Sequence, residues 1–304
     1  MKFGAIDIGS NAVRLLIEEA VIVKGRLEIR KVSLIRVPIR LGDEVFSVGT
    51  ISEAKKLKLA KAMKAFWYLM DLEGIEYYRA AATSAMREAS NSKEVVQFLK
   101  EYSSISVDII NGDREATLIF SNFKQQKINL DGDYLYIDVG GGSTEITLIK
   151  KGKRVKARSF KIGTVRMLEG KVADRQWVAA KKWIQDLVIT EDKLIAIGTG
   201  GNINRIFKEV GRKYFDKIQR SEIWEIHDYI AGFSIEDRLS KLLLKPDRAD
   251  VIVPAAEIYG KFMEYAQIDE MIVPRVGLAD GLVLEMAKDW TKNRLDLNLT
   301  PRLA

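Results

Sequence analysis

The stretch from Tyr134 to Leu148, YLYIDVGGGSTEITL, constrains the fold more than any other. Leu135 to Val139 is a short apolar, β-branched and aromatic run, which predicts a buried strand. Asp138 lies near its end, and Gly140, Gly141 and Gly142 follow. Three glycines in a row cost too much backbone entropy for the middle of a strand or helix. They suit a tight turn whose bare N–H groups can approach an anion. Alternation resumes at Ile146 and Leu148, so the chain turns into a second strand. The result is a hairpin suited to phosphate, with Ser143 and Thr144 in it and two carboxylates, Asp138 and Glu145, nearby for a metal. A glycine-rich turn with no ligand would fit the same residues. A second copy weighs against that. Phe3 to Ile17 reads FGAIDIGSNAVRLLI, and placing Asp7 on Asp138 puts Gly9 on Gly140 and Leu15 on Ile146. A repeat of this kind predicts two similar halves. An Asp-bearing turn on each half predicts a cleft between facing lobes.

Composition narrows the chemistry. The chain of 304 residues is long enough for two cores. It has no cysteine, which excludes disulfides, thiolate zinc sites and cysteine catalysis. Its one histidine, His227, nearly excludes histidine-based metal centres and reads as structural or surface. A metal would be held by carboxylates, hydroxyls and water, which favours magnesium, manganese or calcium. MKFGAIDIG begins a strand at once and does not have the form of a signal peptide. No stretch is apolar enough to span a membrane, so the cytoplasm is the expected location. The net charge of +7 suits polyanionic partners. No helix-turn-helix or RNP-like pattern is present, so no specific nucleic acid is expected.

The elements mix throughout, which predicts an α/β class. Leu27 to Arg36 reads as a strand, and 36–42 as a basic loop. Ser52 is placed to cap a helix whose apolar face is Leu59, Met63, Phe66 and Met70. Tyr77 to Ala82 reads as a strand. Asn91 with Glu94 resembles a capping box, with Val95, Phe98, Leu99 and Tyr102 inward. Val107 to Ile110 reads as a strand, and Asp113 as the cap of a helix from about Arg114. Residues 125–133 are polar and turn-rich, which places the domain boundary at 125/126. Domains of 1–125 and 126–304 follow, with a final helix of about 285–304 able to pack back on the first. In the second half, Asp174 is read as a cap, Leu194 to Ile197 as a strand, Pro246 as a break, Pro254 as the start of a helix and Leu282 to Asn293 as a closing helix. Strand alternation would turn Arg154, Lys156 and Arg158 to one face. Most such runs are solvated; a track for a long polyanion is the second reading.

The chain also resembles a known family. AIDIGSNAVRLLI and IDVGGGSTEI are similar to the two phosphate-binding turns of the actin and sugar-kinase fold, and more closely to those of the exopolyphosphatase and guanosine pentaphosphate phosphatase family. ATSAMREASN from Ala82, INGDREA from Ile110, IGTGGN from Ile197, RADVIVPAA from Arg248 and GLADG from Gly277 match in the family's order. The resemblance implies two ribonuclease-H-like, actin-like domains with an interdomain cleft. It implies hydrolysis of terminal phosphoanhydride bonds in inorganic polyphosphate or guanosine pentaphosphate, with Mg2+ (or Mn2+) as cofactor. It also implies a short form without the C-terminal histidine–aspartate domain of longer members. A homodimer stays open.

Residue by residue, Glu115 matches the family's catalytic glutamate in Gly-x-x-Glu-Ala. A first-turn carboxylate stays ionised beside the helix dipole, so it can act as a general base; an ordinary first-turn glutamate looks the same in sequence. The residue before it is commonly an acid and here is Arg114. Asp138 and Glu145 resemble metal ligands, with Asp7 in support. Gly9, Ser10, Asn11, Gly140, Gly141, Gly142, Ser143 and Thr144 would offer N–H and hydroxyl donors to phosphate. Arg87 matches a family arginine that approaches phosphate, and a guanidinium fork suits that task. Gly200 and Gly201 would hold phosphate or a nucleoside at a helix start. Rossmann and P-loop patterns are absent. A sugar or acid kinase and a non-enzymatic nucleotide- or phosphate-binding actin-like protein remain the alternatives.

Overall fold

The computed structural model describes residues 1–123, 128–129, 131–188, 194–211 and 216–293. In chain order the elements are β1 (Lys2–Ile8), β2 (Ala12–Val23), β3 (Arg26–Pro38), α1 (Leu41–Val48), α2 (Glu53–Leu72), β4 (Tyr77–Ala82), α3 (Ser84–Glu88), α4 (Ser92–Ser103), β5 (Asp108–Ile109) and α5 (Gly112–Phe120). They continue with β6 (Asp133–Val139), β7 (Thr144–Lys150), β8 (Lys153–Phe160), α6 (Thr164–Leu168), α7 (Asp174–Val188), β9 (Ile195–Thr199) and α8 (Gly201–Glu209). The last are β10 (Lys217–Gln219), α9 (Arg220–Ala231), α10 (Ile235–Ser240), α11 (Pro246–Ala249), α12 (Ile252–Tyr265), β11 (Glu270–Ile272) and α13 (Leu278–Asn293). The chain divides into two compact units. One is Met1–Asn122 together with the chain from Gly277 onward; the other is Phe123–Val276. The boundary read at 125/126, and the closing helix beyond 293, lie outside the described residues.

The first unit carries a five-stranded sheet in the order β3-β2-β1-β4-β5. β1, β2 and β3 are antiparallel neighbours, whereas β4 and β5 run parallel to β1. β4 spans the predicted residues, but β5 is only two residues long. Ser52 caps α2, its hydroxyl accepting from Lys55 N–H, and Leu59, Met63, Phe66 and Met70 are buried as the 3.6-residue period requires. Met70 lies so close to Gly4 that a Cβ there would meet its sulfur at 2.7 Å. Two expected caps differ. The Asn91 side chain bridges Ile51 N–H and C=O instead of capping α4, and Glu94 pairs with Lys56. α5 begins at Gly112, capped by Asn111 through Arg114 N–H rather than by Asp113. Tyr102, expected inward, is exposed.

α13 belongs to this first unit and packs on β1 and α5, with Trp290 edge-on to Phe3. Gly281 abuts the Leu118 backbone, where a side chain would not fit. Arg114 donates to both oxygens of Glu285 on α13, at 2.7 and 2.6 Å. The arginine that precedes Glu115 is therefore joined to the closing helix.

The second unit repeats the plan. Its sheet order is β10-β11-β9-β6-β7-β8, so β8-β7-β6-β9-β11 mirrors the order of the first. The resemblance extends to irregularities. A bulge interrupts the β2–β3 register between Ile17 and Glu18, and another interrupts β7–β8 between Leu148 and Ile149. Under the superposition of Asp7 on Asp138, these are the same position. α12 starts at Ile252, which puts Pro254 in the first turn, where its missing N–H is harmless. Pro246 opens the short helix α11 rather than breaking the chain.

The repeat also isolates an odd residue. Ile149 is buried in the second unit, and its counterpart in the first is Glu18, 6% exposed. Burial, with Asp280 adding repulsion and Lys31 partly offsetting it, pushes this carboxyl up to about 8. The folded chain then keeps a proton that the unfolded chain has lost. Stability that is complete below the ordinary carboxyl value of 4.5 declines as pH rises from there toward 8. At pH 8 the cost is on the order of a few kcal/mol. Glu18→Gln should raise the melting temperature by several degrees at pH 8. The gain should shrink toward zero near pH 4.5; a gain independent of pH in thermal melts would refute the titration.

Candidate active site

Both hairpins close their turns with the same hydrogen bond. Gly9 N–H donates to Ala12 O at 3.1 Å, and Gly140 N–H donates to Ser143 O at 2.9 Å. In each, a Cβ on the first glycine would meet that carbonyl at 3.2 Å. A leading glycine thus spares each turn a tight contact between a side chain and its own closing carbonyl.

In the second unit the chain returns from β8 through Gly163 into α6, whose start grips the glycine turn. Thr164 N–H donates to Gly140 O (3.1 Å), and Val165 and Arg166 N–H donate to Gly141 O (2.8 and 3.1 Å). The Arg166 side chain donates through Nε to Gly142 O at 2.8 Å. In a planar trans peptide the carbonyl and the following N–H point opposite ways. Three carbonyls held toward α6 thus aim the N–H groups of Gly141, Gly142 and Ser143 away from it. Successive N–H groups on one side form an anion-binding concavity. The first unit does the same more briefly. Gly42 N–H takes Ser10 O (2.8 Å) and Arg40 N–H takes Asn11 O (2.9 Å), so the N–H groups of Asn11 and Ala12 point the other way.

The hydroxyls are committed differently from the expectation. Thr144 is fully buried and donates to Ile162 O at 2.6 Å, so it braces the turn and has no hydroxyl to offer phosphate. Ser143 Oγ donates to Glu145 at 2.7 Å. Ser10 Oγ shares a hydrogen with Ser84 Oγ at 2.9 Å, tying the first turn to the start of α3.

Asp138 and Glu145 are direct cross-strand partners on β6 and β7, so both carboxylates leave the same face of the sheet. Glu145 is buried, and Ser159 from β8 also donates to it, at 2.8 Å. At the equivalent place in the first unit Asp7 faces Arg14, which donates to it at 3.0 Å. Burial pushes the Asp7 carboxyl up, and Arg14 pulls it part of the way back. The two copies of the motif thus differ in their cross-strand pair: acid opposite acid in one, acid opposite base in the other.

Behind Asp138, Tyr136 OH is hydrogen-bonded to Thr199 Oγ1 at 2.9 Å. Tyr259 OH donates to Thr199 O and accepts from Val139 N–H. Burial, with Asp138 adding repulsion, pushes both phenols well above their ordinary value. Gly200, at φ 121°, packs against Tyr259 OH and Val139 O, where no Cβ is comfortable. Gly201 sits under Arg248, which donates to its carbonyl. Gly198 makes room for Met271.

Glu115 stands on the first turn of α5, half-buried, its N–H on Asn111 O at 3.1 Å. Arg87 donates to Ile110 O at 2.8 Å, just before the loop that caps α5, and so helps to place the helix that carries Glu115. His227 pairs with its neighbour Asp228. Among the described residues no group of three or more histidine, cysteine or acidic side chains could hold a metal, and no helix is long and apolar enough to cross a membrane.

The single cationic face expected on β8 is not formed. The bulge leaves Arg154 opposite Ile149 but Lys156 opposite Leu148, so Arg154 points to the other side of the sheet from Lys156 and Arg158. Arg158 stacks over Phe160 at 5.1 Å, on the face away from Asp138 and Glu145. Sequence reasoning passed over Ser84, Ser159, Arg166 and Tyr259. Of these only Ser84 lay inside a motif that drew attention.

The duplicated sheets and their paired turns define a protein of the ribonuclease-H-like, actin-like class. Residues 20–290 match the model of the Ppx/GppA phosphatase family, and the chain belongs to that family. It is 22% identical over 315 residues to exopolyphosphatase 2 of Mycobacterium tuberculosis, covering 94% of this chain and 98% of that one. It is 25% identical to the guanosine-5'-triphosphate,3'-diphosphate pyrophosphatase of Vibrio cholerae, over 94% of this chain and 59% of the other. A bifunctional 3-dehydroquinate synthase/phosphatase of Fusobacterium nucleatum is 28% identical over 92% of this chain, which spans 46% of that protein. Among solved structures, an exopolyphosphatase from Cytophaga hutchinsonii superposes with a TM-score of 0.81 at 22% identity, covering 95% of this chain and 98% of the other.

Proposed function

We propose that the chain hydrolyses terminal phosphoanhydride bonds, releasing orthophosphate from inorganic polyphosphate or guanosine pentaphosphate. The observation that carries this reading is the β6–β7 hairpin. Three N–H groups are aimed one way at its turn, beside two carboxylates in direct register. Names of similar proteins, exopolyphosphatase and guanosine pentaphosphate pyrophosphatase, support the substrate class.

A divalent metal fits the residues present. Two carboxylates directly opposed in a sheet repel each other, and a cation between them relieves that. Magnesium prefers few carboxylates together with water and phosphate oxygens, which agrees with a pair rather than a cage. Asp138 and Glu145 would hold Mg2+ or Mn2+, with Asp7 in a supporting place. Bound there, the metal would neutralise charge on phosphoryl oxygens.

The protein's own groups supply the rest. N–H groups of the two turns, including those following Ser10, Asn11, Gly140, Gly141 and Gly142, hold phosphate oxygens, with Arg87 and the Gly200–Gly201 helix start assisting. Glu115 orients a water and takes its proton as the new O–P bond forms. The bridging P–O bond breaks, and the shortened chain leaves with the bridging oxygen. The test is phosphate release with magnesium from short polyphosphate, long polyphosphate, guanosine pentaphosphate and ATP, side by side. Release from the polyphosphates or guanosine pentaphosphate well above ATP is expected. No release from any of the first three would overturn the reading.

A further inference from the structure

Arg166 carries a permanent charge, yet it is 6% exposed. Burying a guanidinium is costly unless it is well hydrogen-bonded, and one of its bonds reaches the glycine turn. It sits on α6, whose backbone already holds the Gly140 and Gly141 carbonyls. Its Nε adds the third carbonyl, Gly142 O, at 2.8 Å. That bond fixes the peptide between Gly142 and Ser143, and hence the direction of the Ser143 N–H. Gly163 makes the approach possible, since a Cβ there would fall 2.6 Å from the Gly141 carbonyl carbon.

We infer that Arg166 is a positioning residue for phosphate: through its bond to Gly142 O it locks the last peptide of the glycine turn and so the direction of the Ser143 N–H. The inference rests on the phosphate role proposed for this turn. A lysine is a poor substitute, because its ammonium is a point charge that lacks the planar Nε–H directed at Gly142 O. Arg166 does not touch the reacting atoms in this account. Its loss should weaken ground state and transition state alike, so KM rises while kcat changes little.

The experiment compares wild type, Arg166→Met and Arg166→Lys. Inorganic phosphate is the binding probe, followed by calorimetry and by the rise in melting temperature it produces. Arg166→Met should weaken phosphate binding about tenfold, the effect of about 1.4 kcal/mol. KM for polyphosphate should rise by a similar factor with kcat within threefold. Arg166→Lys should fall between the two. A folded Arg166→Met with wild-type phosphate affinity and KM overturns the inference. So does a large loss of kcat with KM and phosphate binding unchanged. Should Arg166→Met not fold, Arg166→Lys decides, and wild-type affinity in that variant overturns the inference. Phosphate binding needs no turnover. A wild type that binds phosphate but cleaves none of the substrates refutes the hydrolase reading and leaves the role of Arg166 measurable.

Discussion

Glu115→Gln is expected to cut phosphate release by two to four orders of magnitude, on the order of what general-base catalysis contributes. The substitution keeps the side chain's size and its place on α5 and removes only the ability to accept a proton. The helix should persist, because its start rests on Asn111 and Arg114 N–H, and its outer face on the Arg114–Glu285 pair. KM should stay within a few-fold of wild type, since the turns proposed to hold phosphate are untouched. Single-turnover release from a polyphosphate, with circular dichroism as the fold control, reads the prediction. Turnover within a few-fold of wild type would remove Glu115 as the base. A rise in KM with kcat preserved would recast it as a substrate-binding group.

Much of this architecture is legible in the residues. The repeat of Asp-x-Gly hairpins foretells two sheets with one plan, and the shared bulge shows how deep the duplication runs. Ser52 and the stripe from Leu59 to Met70 foretell α2, since cap and period are local. What sequence hides is decided at a distance. The β8 bulge is a one-residue event that alternation does not reveal, yet it sends Arg154 to the opposite face from Lys156. Asn91 has the residue type of a cap, but Ile51, 40 positions away, competes for its amide. α1 and α6 are too short to declare themselves by period. Their starts are fixed by hydrogen bonds to turn carbonyls at Ser10, Asn11, Gly140 and Gly141. Thr144 looks like a phosphate donor until its strand neighbour's loop supplies Ile162 O. Arg166 draws no attention in the sequence, because the carbonyl it holds, Gly142 O, lies 24 positions away.

The asymmetry between the two motif copies yields the other large effect. Asp138 and Glu145 stand opposite each other, acid against acid, whereas Asp7 has Arg14 at 3.0 Å. A divalent cation gains most where two negative charges are already gathered, and least where an arginine has neutralised one. Asp138→Asn and Glu145→Gln should therefore each shift the magnesium requirement of phosphate release upward by tenfold or more, with kcat at ordinary magnesium reduced by a larger factor. Glu145→Gln carries an added cost, because Ser143 and Ser159 both donate to its Oε1 and an amide holds them less strongly than a charged carboxylate. Asp7→Asn should move the magnesium curve less than either, its main effect being a raised KM from a loosened first turn. Magnesium titrations of the three variants, with manganese as a second series, measure this directly. Unchanged curves for both Asp138→Asn and Glu145→Gln would take the metal away from the β6–β7 hairpin. A shift for Asp7→Asn as large as theirs would show that Arg14 gives way when the metal binds.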